Sequence, residues 1–132
     1  MPIRTDVSDN IAEVILDHPP VNAFNSDVWN EIPEIITALG KRKDVKVVLI
    51  RAEGRGFCAG VDIKELADDS SAIVEVNKGN YETFKAIHHC EVPVICAPHG
   101  FVIGGGIGMC GAADIIIASD DCFFSLPEID RG

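Results

Sequence analysis

The sequence predicts an α/β chain assembled from βαβ units. Short β-branched runs, the clearest being residues 45–50 (VKVVLI) and 94–97 (VICA), alternate with longer segments whose apolar residues recur at helical spacing. Near-continuous apolar runs of this kind suit strands buried on both faces, as in a partly parallel sheet under helices. A glycine-rich segment follows each of the two runs.

The elements can be taken in order. Residues 11–16 (IAEVIL) form the first expected strand, stopped by His18-Pro19-Pro20. Asn25 or Ser26 is a good N-cap for a helix that runs to Leu39 and ends at Gly40. Val28, Trp29, Ile32, Ile35, Ile36 and Leu39 make its apolar face. Pro33 falls within it and implies either a kink or a helix proper that begins near Pro33. After the strand at 45–50 comes a glycine-punctuated loop, residues 52–62 (AEGRGFCAGVD), and later a polar connector at 68–71. Ser71 is the expected cap of a second long helix reaching Cys90, with Ile73, Val76, Tyr81, Phe84 and Ile87 facing inward. The strand at 94–97 leads to a second glycine-rich turn, residues 100–108, and a short helix over 107–112. Residues 115–118 and 122–124 read as short strands around an Asp120-Asp121 turn.

Composition narrows the function classes. The 132 residues suffice for one domain with a real core. No apolar run approaches the roughly 20 residues of a membrane helix, and the first ten residues have no signal-peptide character, so a cytoplasmic protein is expected. Cys58, Cys90, Cys96, Cys110 and Cys122 form no CxxC pair, which argues for reduced thiols rather than a disulfide framework or a zinc site. A formal net charge of −10 argues against a nucleic-acid surface. Lys41-Arg42-Lys43 is the only basic run, and its position after Gly40 suits a solvated turn.

Gly104-Gly105-Gly106 precedes a helix start. Glycines let backbone approach a ligand, and a helix N-terminus adds partial positive charge there, a combination suited to an oxyanion. A tight packing turn between strand and helix explains the same residues. Neither a P-loop nor a dinucleotide fingerprint fits: no Lys follows the glycines, and the third glycine position of GxGxxG falls on Met109.

Four segments together settle what the spacing leaves open. Residues 57–65 (FCAGVDIKE) resemble the crotonase motif F-x-A-G-x-D-[IL]-x-E, and residues 100–106 (GFVIGGG) resemble the same family's G-x-x-x-G-G-G turn. Residues 114–118 (DIIIA) with 124–128 (FSLPE) resemble its D-[IL]-x-[IV]-A…F-x-x-P-E segment, and Asn22-Ala23-Phe24 its early N-A-[LF] signature. The resemblance implies a crotonase-like spiral of βαβ units, here a single partial domain over residues 1–132 that stops before the C-terminal helical part. Family members are roughly twice as long, so this chain is expected to be the N-terminal half. The resemblance also implies an acyl-CoA thioester as substrate, coenzyme A arriving with it and no separate cofactor or metal. A homotrimer or hexamer is implied for the full-length protein.

Carried over position by position, the family's oxyanion hole falls on the backbone N–H groups of Val61 and Gly105. Two such donors stabilise the charge an enolate places on the thioester oxygen, and removing one typically costs on the order of 3 kcal/mol. Ala59, Gly60, Asp62, Ile63 and Lys64, with Gly104, are expected to line the coenzyme A, largely through backbone groups; Asp62 also braces its loop, and Lys64 and Glu65 lie at the rim.

Family hydratases use two glutamates. The second is present as Glu128; the first maps onto Gly108 and is absent. One carboxylate leaves ordinary hydration short of a group, whereas isomerisation or hydrolytic C–C cleavage remains open. Asp130 is a candidate second carboxylate, or an ion-pair residue beside Arg131. Glu128 has a purely structural alternative, since Ser125-Leu126-Pro127-Glu128 fits a capping box. The run of motifs also resembles an actinobacterial branch that opens steroid-derived rings as coenzyme A thioesters. A non-catalytic acyl-CoA-binding protein of the same fold is the rival reading. His88 and His89 are expected at the surface or in packing, His99 precedes the second loop with either a structural role or an approach to the thioester open to it, and Cys58 lacks the partner base a thiol nucleophile needs.

Overall fold

The computed structural model describes residues 1–131. Its main sheet has five strands in the order β1-β2-β4-β6-β8. β1 (Ile3–Ser8) and β2 (Ile11–Leu16) form an antiparallel hairpin. Asp9 and Asn10 make its two-residue turn with φ of 51° and 67°, a left-handed pair that matches strand twist and that Asp and Asn tolerate. β1 was not expected from the sequence. It is an edge strand, mostly solvated, and carries no apolar run.

β2, β4 (Val47–Ala52), β6 (Val94–Cys96) and β8 (Ile115–Ile116) are parallel. Each turn of the spiral also leaves a short strand in a second layer. β3 (Ala23–Phe24) pairs with β5 (Gly60–Val61), and β7 (Phe101–Ile103) with β9 (Phe123–Ser125), a Cys58–Val102 bridge joining the two pairs. These short strands carry the glycine loops. The crotonase-like expectation holds.

β4 lies two residues later than expected, and only one of its faces is buried. Val48, Ile50 and Ala52 join the core, while Val47, Leu49 and Arg51 are half-buried. On that second face Arg51 Nε reaches Glu13 Oε1 at 3.1 Å.

α1 (Ser26–Gly40) begins where Asn25 Oδ1 accepts from Val28 N at 3.0 Å. It continues through Pro33, so no helix start falls there: buried Val28, Trp29 and Ile32 already anchor the preceding turns. Proline has no N–H for the carbonyl four residues back. That carbonyl, of Trp29, instead accepts from Thr83 Oγ1 at 3.1 Å, in a fully buried bond.

Thr83 belongs to α3 (Ala72–His88). The buried stripe of α3 is Val76, Gly79, Thr83 and Ile87, whereas Ile73 and Tyr81 are 42% and 63% exposed, contrary to the apolar pattern. Val76 and Ile87 are buried as expected and Phe84 packs edge-on against Trp29, while at the crossing with α1 a Cβ on Gly79 would stand 2.7 Å from Trp29 Cβ, so only glycine fits there. Ser71 is no side-chain cap either; its hydroxyl donates to Asp69 Oδ1 at 2.6 Å. Two further helices flank the glycine loops, α2 (Ile63–Asp68) and α4 (Gly105–Ala112), the latter starting two residues before the expected position. α5 (Glu128–Arg131) follows β9. No helix among the described residues is long and apolar enough to cross a membrane.

Thr83→Val keeps the shape but strands the Trp29 carbonyl. It is expected to lower unfolding free energy by about 1–3 kcal/mol, read as a lower urea midpoint at unchanged slope.

Candidate active site

The first glycine loop is held by Asn22, buried and in a left-handed conformation. Its Oδ1 accepts from His18 N at 2.6 Å, and its Nδ2 lies 3.1 Å from both Glu53 O and Phe57 O. The Asn of the early signature is thus the peg that joins the 18–22 turn to the loop. His99 braces the same loop from the other side, Nε2 to Gly54 O at 2.7 Å.

The two glycine loops lie along one another. Phe57 N donates to Phe101 O at 3.0 Å and Ile103 N to Cys58 O at 2.9 Å. Gly60, with φ of 88°, sits at the closest approach: a Cβ there would stand 3.0 Å from Ile103 O and 3.4 Å from Gly105 N. Val61 follows in β5. Asp62 N donates to Phe24 O at 2.9 Å, and successive amides of a strand alternate sides, so the Val61 N–H is directed away from β3. Gly105 is the first residue of α4, where an N–H has no intrahelical acceptor. Both residues line one cavity of about 540 Å³ between the glycine loops and α3.

A second cavity, of about 520 Å³, shares Ala59, Val61, Ile63 and Pro127 with the first and extends past Asp62 and Lys64 to His18 and Pro20. The structure strings most of the sequence-predicted residues along one path, whereas Gly60 and Gly104 are buried and line neither cavity. Val61, Ala59 and Ile63 lie at the junction, Gly105 and Glu128 inward, Asp62 and Lys64 outward. Asp62 Oδ1 accepts from Lys64 N at 3.0 Å and caps α2, the bracing role expected of it. Glu65 lines neither cavity; it bonds Ser26 N and Oγ at 2.8 and 2.6 Å and ties α2 to the start of α1. Lys41, Arg42 and Lys43 are exposed residues just after α1, and Arg42 pairs with Asp44 at 2.7 Å.

Glu128 presses its carboxylate against the triple glycine: a Cβ on Gly104 (φ 55°) would collide with Glu128 Oε1. The capping box does not form, because Ser125 lies in β9 and Glu128 is the first residue of α5. Glu128 and Asp130 are both exposed, but Asp130 lines neither cavity, so the two carboxylates do not share the inner cavity. At Gly108 a Cβ would run into the ring of Phe84, whose bulk takes the space a longer side chain would need. Cys58 is fully buried, accepts from Gly60 N at 3.3 Å, and has its thiol pushed up to about 12 by burial. A neutral, enclosed thiol is no nucleophile.

Asn77 and Asn80 of α3 also line the inner cavity, and no sequence motif marks either residue. The available signal was a carboxamide one turn after Val76, on the side of the helix that turns inward.

Residues 6–132 match the family model described as enoyl-CoA hydratase/isomerase. The chain belongs to the enoyl-CoA hydratase/isomerase family. Among curated relatives it is 50% identical over 130 residues to the Rhodococcus jostii (7aS)-7a-methyl-1,5-dioxo-2,3,5,6,7,7a-hexahydro-1H-indene-carboxyl-CoA hydrolase, covering 97% of this chain and 50% of that protein. The Mycobacterium tuberculosis protein of the same name is 46% identical, covering 100% and 55%. A peroxisomal Delta(3,5)-Delta(2,4)-dienoyl-CoA isomerase from Arabidopsis thaliana is 32% identical, covering 97% and 51%. Among solved structures, a member of this family from Hyphomonas neptunium superposes with a TM-score of 0.91 at 31% identity, covering all of this chain and 52% of that one. The chain spans about half the length of the curated relatives it matches.

Asn22→Ala removes the peg under the first loop and is expected to destabilise the fold by about 2–4 kcal/mol, several buried carbonyls losing their donor; thermal unfolding monitored by circular dichroism reads it. Burial also predicts that Cys58 resists iodoacetamide at pH 8.5 in the folded protein and reacts once urea unfolds it, peptide mass mapping being the readout.

Proposed function

We propose that the protein is an acyl-CoA-processing enzyme that opens a ring hydrolytically, at a C–C bond next to the thioester α-carbon. The observation that carries this reading is the single carboxylate of the inner cavity, Glu128, set against the Gly104–Gly105 backbone and facing no second acid among the described residues. In this reading the N–H groups of Val61 and Gly105 hold the thioester oxygen while negative charge develops on it. Ala59, Asp62, Ile63 and Lys64 form the coenzyme A side of the path, Gly60 and Gly104 shape the turns that carry the two donors, and no further cofactor is needed.

The step balances with one water. The water oxygen bonds to a ring carbonyl carbon β to the thioester, and its proton passes to Glu128. The bond from that carbon to the α-carbon breaks, its electron pair forming the thioester enolate. The α-carbon then takes the proton from Glu128, leaving a carboxylic acid and an intact thioester. Phe84 at Gly108 supports hydrolysis over hydration, since a second glutamate has no room there. The hydrolase names of the relatives at 46% and 50% identity support the same choice and favour a fused, oxo-bearing ring as the acyl group.

Isomerisation is the second reading, favoured by the relatives named dienoyl-CoA isomerases, because one carboxylate can carry a proton between two carbons. Asp130 enters neither scheme unless α5 shifts. Assembly into a trimer or a dimer of trimers, and a cytoplasmic location, belong to the same proposal.

Glu128→Gln is expected to lower turnover by about 10²–10⁴-fold, as for loss of a general base, while acyl-CoA binding measured by calorimetry persists. Mass spectrometry of products from a panel of cyclic and linear acyl-CoA thioesters separates the readings: ring opening gains one water and yields a new acid, and isomerisation leaves the mass unchanged. Wild-type protein that binds every thioester and turns over none supports the non-catalytic alternative.

A further inference from the structure

We propose that Asn80 is a positioning residue that holds the attacking water for ring opening; the proposal rests on the hydrolytic reading of the same site. The inner cavity is walled mostly by aliphatic side chains, and the polar ones among its lining residues are Asn77, Asn80 and Glu128. Water entering such a place needs at least two polar partners to be held in one orientation. Glu128 supplies one, beside Gly104. Asn80 supplies the other, beside Gly105: its Oδ1 is 2.8 Å from the point where a Cβ on Gly105 would stand.

The orientation of the carboxamide is set by its other end. Asn80 Nδ2 donates to Val76 O one turn back at 3.1 Å. One N–H of the amide is thereby occupied on its own helix, and the acceptor Oδ1 is left toward the glycine turn. The helix is anchored in turn by the Gly79–Trp29 crossing and by the Thr83 bond to the Trp29 carbonyl, which flank Asn80 in sequence. Trp29 closes the floor beneath, with Cζ2 2.8 Å from the same Gly105 Cβ point. Asn80 therefore projects from a rigid part of the fold, and no rotation is needed to present its oxygen.

A water between the two groups donates one hydrogen to Asn80 Oδ1 and the other to the Glu128 carboxylate. Its lone pair is then left for the ring carbonyl carbon. Asn80 moves no proton; it selects which lone-pair direction the water offers, and Glu128 alone takes the proton. Isomerisation and α-proton exchange require Glu128 and the two backbone donors but no attacking water. Asn80 should consequently matter more to hydrolysis than to exchange.

The test compares these two reactions in the intact protein. Deuterium uptake at the α-carbon of cyclohexane-carboxyl-CoA in D2O reads exchange. Opening of the β-oxo derivative of the same thioester, followed by mass spectrometry, reads hydrolysis. Asn80→Ala and the volume-matched Asn80→Leu are both made, so that a packing defect in one does not decide the result; exchange itself reports an assembled site. The expected result is a fall of tenfold or more in the ratio of hydrolysis to exchange in both variants, lying in kcat for hydrolysis rather than in KM. A ratio within threefold of wild type, whether both activities fall or neither does, overturns the role of Asn80 and leaves the oxyanion-hole reading standing. Exchange without hydrolysis in the wild-type protein also overturns the proposal, since no water is then delivered. Wild-type protein that does neither overturns the proposed function, and the role of Asn80 with it.

Discussion

The approach of one backbone to another, at Gly60 against Ile103 and Gly105, is the contact on which the site depends. There is no room for a side chain between the two loops, and the carbonyls and amides of each satisfy those of the other from Phe57 to Ile103. A buried polar backbone must find partners, and here it finds them in a second loop rather than in a regular sheet. The outcome is that the amides left over, at Val61 and Gly105, border the same cavity. Cys58 adds to this arrangement as a small buried hydrophobe whose sulfur accepts from the Gly60 amide.

Polar side chains act as pegs wherever regular structure leaves a backbone group alone. Asn22 meets the loop carbonyls that no strand reaches, and Thr83 meets the carbonyl that Pro33 abandons. In both cases a missing hydrogen bond in one element is repaired by a side chain distant in sequence. These repairs stabilise the fold less by their net energy than by avoiding the desolvation cost of an orphaned group. They also couple the α1–α3 crossing to the cavity wall, since Trp29 touches Gly79 on one side and the Gly105 turn on the other.

Under the proposed function, backbone recognition would reconcile a charge of −10 with an anionic thioester ligand. N–H groups and a helix N-terminus attract negative charge without a cationic side chain, and Lys64 is the cationic side chain that borders the outer cavity. Variation among relatives in what is done to the acyl group can then reside in a few side chains. Gly108, with Phe84 filling the space beside it, is where this chain departs from a two-carboxylate arrangement.

The sequence by itself determined the fold class, the order of the parallel strands' segments, both glycine loops, the start of α1 at Asn25 or Ser26 and the family. Each is written in contiguous residues, because turn chemistry, capping and apolar runs act over a few positions. It also marked Gly108 as the place where a carboxylate is missing. Tertiary structure decided the rest. The close crossing of α1 and α3 at Gly79 is not encoded by hydrophobic spacing, and neither is the placement of Ile73 at the inner cavity and Tyr81 in solvent. The uninterrupted run of α1 past Pro33 required a threonine fifty residues away. β1 emerged only through pairing with β2, as an edge strand gains its bonds from a neighbour rather than from its own pattern. That Glu128 lines a cavity rather than closing a capping box, and that Asp130 lines neither cavity, came from where β9 ends and α5 begins, a matter of long-range packing that no local motif specifies.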